Sequence, residues 1–274
     1  MNQDAVYQGV FLPTDHTKAG VHAFCHGLKL ALSARVPLRL LHVKAADAPG
    51  SMHAFPQVRE TLSRWTGRSI SNDDLVEMGL AVRKKIAHGD DPIRAILGGL
   101  KKHKEHLAVL APHHHAGFAE LFHQSVSNAV ARNSRSLTLF VPEGSRGFVN
   151  VQDGSLELDN ILFPVDHKPY PQPALDLLES IGEDLGLKKA TGHMLHVGAE
   201  EKIHCFPSVH PRWLWEWHHH VGDPVETILE KADTLKCRLI AMVTEGRQGF
   251  MDKVRGSVTE RLIKQAPCPV LVLH

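Results

Sequence analysis

Short apolar runs alternate with stretches of helical periodicity along the first half of the chain. Residues 10–15 (VFLPTD) are apolar and end in a polar turn, and apolar side chains then recur at three- and four-residue spacing over 17–34. The other strands of this half are expected at 37–43, 81–87, 106–110 and 137–141. The other helices are expected at 55–65, 73–79, 92–102 and 119–132. Strands that alternate with helices predict a parallel α/β sheet, and the polar run at 81–87 fits its edge.

The same order of elements begins again in the second half. Three pairs of segments match, namely VFLPTDH at 10–16 with ILFPVDH at 161–167, LHV at 41–43 with LHV at 195–197, and GDDPIRAIL at 89–97 with VGDPVETIL at 221–229. Their offsets are 161 − 10 = 151, 195 − 41 = 154 and 221 − 89 = 132. Nearly constant offsets on either side of one jump indicate two copies of one domain, the second shorter by 154 − 132 = 22 residues.

The repeat divides the chain into a first domain at 1–143 and a second domain at 159–274. Residues 144–158 (GSRGFVNVQDGSLEL) interrupt the pattern with glycines and charges, so we predict a linker there, with a short strand at 148–151. The second domain is expected to lack the second helix of the first. The residues in its place, 198–211, are expected to be irregular.

Composition narrows the class of protein. The chain has 274 residues, of which 43% are hydrophobic and 22% charged, as in ordinary soluble globular proteins. A net charge of +1 offers no electrostatic basis for nucleic-acid binding. No run approaches the ~20 apolar residues of a membrane span, and the first residues do not resemble a secretory leader. The four cysteines are scattered, so reduced thiols in a cytoplasmic protein are expected.

A glycine-bearing loop in the second domain has the order that phosphate sites use. Residues 246–257 (GRQGFMDKVRGS) lie between the apolar strands expected at 239–243 and 269–273. Gly246 permits a close backbone approach, and the Gly-Ser pair at 256–257 opens the next helix, where free N–H groups and the helix dipole favour an anion. Taken alone, the same pattern also fits an ordinary loop followed by a capped helix.

These segments together resemble a tandem universal stress protein. The resemblance is carried by ILFPVDH at 161–167, LHV at 195–197, GDP at 222–224, and Gly246-x9-GSV followed by APCPVLVL at 266–273. It covers nearly the whole chain and implies two doubly wound five-stranded parallel sheets of strand order 3-2-1-4-5, the adenine nucleotide alpha hydrolase-like fold. The two sheets are expected to pack through their last strands as an intramolecular pseudo-dimer.

The resemblance implies an adenine-nucleotide site in the second domain, at the carboxyl ends of strands one and four. Asp166 matches the aspartate that holds adenine, and Val197 matches the residue whose backbone reads the adenine edge. The matched positions are Pro164, Val165, Asp166, Val197, Gly246, Gly256, Ser257 and Val258. ATP with Mg²⁺ is the cofactor that the resemblance implies.

Two positions of the second domain depart from the family pattern. The first glycine of the phosphate motif falls on Val243, since 246 − 3 = 243, and a β-branched residue resists positive φ. The usual histidine falls on Glu245. Its carboxylate repels a phosphate by about 1 kcal/mol at ~4 Å in water, and by more in a cleft. In the first domain Asp15 and Val43 are retained, but none of the three motif glycines is present over 111–125, so we predict no phosphate site there.

Histidines form two contiguous runs, at 113–115 and 218–220. The second run ends a strand on which alternate residues share a face, so Glu216, His218 and His220 point the same way. Two histidines and a carboxylate at this spacing fit a metal triad. They also fit an exposed edge strand whose polar side chains block edge pairing, and the predicted site includes no metal ligand.

The other face of the same strand carries Trp213, Trp215 and Trp217, together with His219. Such a stripe offers a stacking surface to a planar ligand, but aromatic stripes more often pack against a helix. We therefore predict that the three tryptophans belong to the core.

The sequence thus predicts a stress-response protein of the universal stress family that binds ATP in its second domain. There is no G-x-S-x-G elbow, H-E-x-x-H motif or Walker lysine, and no catalytic residue is predicted. Two alternatives stay open: an interaction module whose nucleotide sites have decayed, and a histidine-based metal site. We expect protein partners of unknown identity, with no nucleic acid and no membrane, and homodimerisation stays open.

Overall fold

The computed structural model describes residues 5–14, 18–44, 55–89, 91–103, 107–112, 136–200, 203–244 and 258–273. The first half contains β1 (Val10–Thr14), α1 (Lys18–Ala34), β2 (Leu38–Lys44), α2 (Val58–Thr66), α3 (Asn72–Glu77), β3 (Val82–His88), α4 (Pro92–Lys102), β4 (Leu107–Leu110) and β5 (Thr138–Phe140). The second half contains β6 (Asn160–Pro164), α5 (Gln172–Asp184), β7 (Ala190–Val197), β8 (Trp213–His220), α6 (Pro224–Thr234), β9 (Leu239–Val243), α7 (Val258–Gln265) and β10 (Val270–Leu273).

The strands form one sheet in the order β3-β2-β1-β4-β5-β10-β9-β6-β7-β8. Each half is parallel and has the expected order 3-2-1-4-5, read inward from β3 and inward from β8. The halves meet where β5 and β10 pair antiparallel, with Leu139 opposite Leu271. The predicted fold class and the contact through the last strands are confirmed. The two five-stranded halves are continuous, so the sheet has ten strands.

Burial along the strands explains this order. Strands β4, β5 and β10, at the centre of the sheet, are buried at every position. Near-continuous apolar sequence is typical of strands covered by helices on both faces. Strand β3 instead alternates between half-buried and exposed residues and lies at one edge, as its polar sequence predicts. The core forms two clusters, one on each face of the sheet.

Most predicted elements appear within a few residues of their expected bounds, and α7 begins at Val258, directly after the Gly-Ser pair that is expected to open it. The helix expected at 55–65 begins at Val58 and ends before Gly67, which adopts a left-handed conformation with φ 69°. The helix expected at 73–79 begins one residue earlier because Ser71 and Asp74 form a capping box. The helix expected at 119–132 and the histidines at 113–115 lie outside the described residues.

The predicted linker, residues 144–158, packs across the molecule. Val149 and Leu156 form an isolated antiparallel bridge, close to the short strand expected at 148–151. On the side of the first half, Trp65 Nε1 donates to Val151 O at 3.0 Å. On the side of the second half, Arg238 pairs with Glu157 at 2.8 Å. The segment therefore ties the two halves together.

The linker is anchored at a buried histidine of α1. His26 Nδ1 donates to His22 O at 2.7 Å, and Nε2 accepts from Phe148 N at 3.0 Å and from Val149 N at 3.3 Å. The rings of His26 and Phe148 meet edge to face at 4.5 Å. Burial lowers the pKa of His26 to about 4, so the ring is neutral in this arrangement.

Two of the three tryptophans belong to the core, as predicted. The rings of Trp213 and Trp215 stack at 5.3 Å beneath α5. Trp213 lies against Gly182 and Trp215 against Gly192, where a Cβ would meet each ring within 2.5 Å. The prediction is wrong for Trp217, which is 45% exposed. The contacts from α5 reach the first two rings, whereas Trp217 lies further along the edge strand β8.

The second half is shorter between β7 and β8 than the first half is between β2 and β3. Residues 203–212 form neither helix nor strand, and residues 198–200 are bends. The four cysteines are buried and form no disulfide with one another. In the part of the chain that the structure describes, no helix is long and apolar enough to cross a membrane.

Candidate functional site

The second half has a topological switch point at β6, where the strand order reverses. Strand β6 pairs with β7 on one side and with β9 on the other, and all three are parallel. The chain therefore leaves β6 and β9 toward opposite sides of the sheet. In doubly wound folds, ligands bind outside the carboxyl ends of the strands at such a switch point.

Four predicted site residues meet at this edge. Pro164 ends β6, and the N–H of the buried Val165 donates to Leu195 O of β7 at 2.9 Å. Asp166 follows and is exposed, and its Oδ1 accepts from His167 N at 2.7 Å. Val197 is the last residue of β7. The structure thus brings residues from two separate motifs to adjacent strand ends.

The other predicted positions concern the phosphate loop. Gly246, Gly256 and Ser257, as well as Glu245, lie outside the described residues. Val258 is described, is half-buried and begins α7. Helix α7 therefore begins directly after the predicted phosphate loop, as the sequence indicates.

Val243 stands in place of the first motif glycine, and its side chain packs against the core. It ends β9, where it pairs with Leu273 of β10, and it is half-buried. It packs against the apolar cluster on the α5 side of the sheet, which also contains Ala241 and Leu273. The valine thus contributes to the core as well as to the strand end.

A histidine of the LHV motif links the first two strands of each half. His196 Nδ1 lies 3.2 Å from Val165 O, and His42 Nδ1 lies 2.7 Å from Thr14 O. The equivalent pairs follow the motif offsets, since 196 − 42 = 154 and 165 − 14 = 151. Sequence reasoning missed this role. The available signal was the recurrence of the same histidine in both copies.

His196 is further packed among aromatic rings at the strand ends. Its ring stacks on His219 at 5.8 Å with 24° between the planes, and the His167 ring lies 6.3 Å away. His196 Nε2 also faces Ala199 O at 3.1 Å. With both nitrogens opposite carbonyl oxygens, the ring holds the turn after β7 against the end of β6.

The histidine-based alternative grouped Glu216, His218 and His220, and the structure changes its membership. Glu216 and His218 lie together with His193 of β7, with their ligand atoms within 4.8 Å of one another. Among the described residues, His220 is not part of this group. His193 was missed because it lies on the neighbouring strand.

In the first half, strands β2 and β3 are the equivalents of β7 and β8. Between them and α4 lies a basic groove of ≈ 690 Å³. Its cationic lining residues are Arg39, Arg83, Lys84, Lys85, Arg94 and Lys102. The pKa of His103 in this groove is lowered by burial and by the neighbouring cations. The groove therefore carries a positive potential.

Comparison with known proteins agrees with the repeat and the sheet order. A sequence model of the universal stress protein family matches residues 7–142 and 215–274, well over half of the chain. The chain belongs to the universal stress protein family. A universal stress protein of Methanocaldococcus jannaschii is 27% identical over 151 residues, which is 54% of this chain and 89% of that protein. This relative therefore corresponds to one copy of the repeat.

Solved structures of similar length share the whole arrangement. A universal stress protein from Archaeoglobus fulgidus has a TM-score of 0.63 at 18% identity and covers 97% of this chain and 98% of its own. A Pseudomonas aeruginosa protein described as a putative universal stress protein has a TM-score of 0.61 at 15% identity, with 97% and 93% covered. At these identities the likeness shows the fold, and both halves are included in it.

Proposed function

We propose that this universal stress protein binds an adenine nucleotide, ATP with Mg²⁺, in its second half, and that occupancy of this site is the signal it reports. The observation that supports the proposal most directly is the convergence of Val165, Asp166 and Val197 at the β6 switch point. Exposed Asp166 has a second carboxylate oxygen with which to accept from the adenine amino group. The backbone of Val197 lies on the adjacent strand end, in reach of the adenine edge.

The phosphate end of the proposed site rests on the sequence of the loop. Gly246 and the Gly256-Ser257 pair precede α7, whose first N–H groups favour an anion. Val243 replaces a glycine, but its side chain packs with the core on the α5 side. Arg247, Lys253 and Arg255 supply positive charge in the same loop to offset Glu245.

The first half is proposed to bind no nucleotide phosphate. Its loop has Ala111 and His114 at the first two motif-glycine positions and Gln124 at the third. Without glycine at these positions the backbone approaches a phosphate less closely. The two halves therefore serve as site and matched control within one molecule.

The test is isothermal titration of ATP with Mg²⁺ into the tag-free protein. We expect one equivalent to bind, and a Gly246→Val/Ser257→Ala variant to bind none. The matched control is His114→Val/Ser125→Ala, which changes the aligned positions of the first half (246 − 132 = 114 and 257 − 132 = 125). This control should bind like the wild type. Absence of both heat and thermal shift at millimolar ATP, or equal loss in the control, would contradict the proposal.

A further inference from the structure

Three polar side chains converge near the outer edge of the second half, on strands β7 and β8. The register places His193 opposite Glu216 and Leu195 opposite His218. Residues two apart on a strand share a face, so His218 stands beside Glu216 on the same face as His193. The group is thus built by a cross-strand pair and one neighbour, all on regular backbone.

The distances within the group match those of a tetrahedral metal site. His193 Nδ1 lies 3.3 Å from Glu216 Oε2 and 3.1 Å from His218 Nε2, and the third edge, His218 Nε2 to Glu216 Oε2, is 3.8 Å. An ion with four tetrahedral bonds of about 2.0 Å has ligand atoms about 3.3 Å apart. The three atoms therefore already form one face of such a tetrahedron.

Asn160 orients the buried ring of His193. His193 Nε2 faces Asn160 Oδ1 of β6 at 3.3 Å. With the proton on Nε2 donated to this oxygen, the lone pair of Nδ1 points at Glu216 and His218. Metal-binding histidines in proteins are commonly held in this way by a partner on the second nitrogen.

We propose that His193, Glu216 and His218 bind a divalent ion of the zinc class, with Asn160 as the orienting partner of His193. Two imidazole nitrogens and one carboxylate oxygen are a donor set that Zn²⁺ accepts. The side chain of His193 is 5% exposed, whereas those of His218 and Glu216 are 23% and 47% exposed. The fourth coordination position thus faces solvent, where water or an anionic oxygen completes the shell.

This site is independent of the proposed nucleotide site. His193 and His218 share the sheet face of Leu195, which belongs to the core cluster beneath α6. The proposed nucleotide site lies at the carboxyl end of β7, where Val197 stands four positions beyond His193, about 13 Å away at ~3.3 Å per residue. A variant of Glu216 should therefore leave ATP titration unchanged, which separates failure of one proposal from failure of the other.

The test is competition for Zn²⁺ between a chromophoric chelator and the tag-free protein. The starting protein and every variant carry His113→Asn, His114→Asn and His115→Asn, which remove the other histidine run. We expect one tight equivalent. Glu216→Gln, His193→Gln and His218→Gln should each weaken binding by more than about 100-fold, beyond the usual loss for an orienting partner. Asn160→Leu should weaken it about 10- to 100-fold.

The matched control is His220→Gln, from the same histidine run, which should bind like the starting protein. Thermal unfolding without metal checks that each variant folds, and exposed Glu216 provides a ligand change that is mild for the fold. Bound Co²⁺ should show the intense visible absorption of a four-coordinate site, lost in Glu216→Gln. Equal loss in His220→Gln, full retention in Glu216→Gln, or a weak six-coordinate Co²⁺ spectrum would overturn the proposal.

Discussion

The same corner of the sheet has opposite chemistry in the two halves. In the first half, the register pairs Arg39 with Arg83 and Leu41 with Lys85. In the second half, the equivalent pairs are His193 with Glu216 and Leu195 with His218, and 193 − 39 = 154 is the offset of the LHV motif. Three cations thus occupy the positions that hold two imidazoles and a carboxylate in the other half.

This difference shows how one backbone arrangement can present side chains of different charge. The strand register fixes which three positions converge, and the side chains fix the charge that they present. In the first half, burial and then Arg83 lower the pKa of Arg39, as expected when cations are crowded together. Such a corner repels a metal ion and attracts an anion, whereas the second corner holds the proposed metal ligands.

The largest effect is expected from giving the second corner a charge of the first. Glu216→Lys removes a proposed ligand and places a cation beside the ion, a repulsion of roughly 1–4 kcal/mol at 4 Å. We expect Zn²⁺ affinity to fall by roughly 1,000-fold or more, measured by chelator competition. Glu226→Lys, an equal charge change on exposed α6, should leave the affinity within a few-fold. Similar losses in both variants would mean that net charge, rather than ligation, controls binding.

A second difference concerns how the linker is held by each half. It contacts the first half through buried His26, whose pKa of about 4 lies below its ordinary 6.5. Between pH 4 and pH 6.5 the unfolded chain therefore binds more protons than the folded chain. The free energy of unfolding falls as the pH falls from 6.5 toward 4. The contribution of His26 should reach about 3 kcal/mol. Urea unfolding of the wild type and His26→Gln across this range should show a shallower decline in the variant, and parallel declines would refute the assignment.

The two strand-one aspartates offer a matched test of nucleotide selectivity. Asp166→Asn removes a charged acceptor at the proposed adenine end, worth about 1.5–3 kcal/mol, so ATP affinity should fall roughly 10- to 100-fold. Asp15→Asn, its counterpart in the first half, should leave affinity unchanged. Titration calorimetry measures both. If Asp15→Asn weakens binding more, the nucleotide occupies the first half.

The smallest effect is expected where the linker contacts the second half. Arg238 and Glu157 pair at 2.8 Å, with side chains 34% and 42% exposed. Pairs this exposed are worth about 1 kcal/mol or less because water and salt screen them. Glu157→Gln should lower the free energy of unfolding by no more than this amount, and less in high salt. A loss of several kcal/mol would show that the linker depends on both halves equally.

Much of the fold follows from local pattern. Apolar runs and their recurrence at two offsets were enough to predict two copies of a parallel α/β unit, and the polar sequence of β3 was enough to place it at an edge. The strand order within each copy came from the resemblance to the universal stress family. The predicted adenine positions Asp166 and Val197 lie at neighbouring strand ends because parallel strands place their carboxyl ends together. These features depend on single segments and on their order.

Features that depend on register were not predictable in the same way. His193 pairs with Glu216 only because β7 and β8 align across the irregular residues 203–212, whose path no periodicity describes. Spacing within one strand instead favoured His220, which is not in the described group. The prediction for Trp217 fails because alternation shows which face of a strand a residue lies on. It does not show how far along the strand the covering helix extends.

The antiparallel pairing of β5 with β10 bears on how this protein can diversify. In a symmetric dimer of single-domain chains, every substitution alters both subunits at once. Here the contact between halves uses backbone hydrogen bonds and buried residues such as Leu139 and Leu271, far along the sheet from either outer corner. Each copy can therefore change its outer corner without changing the other, which a dimer of identical chains cannot do.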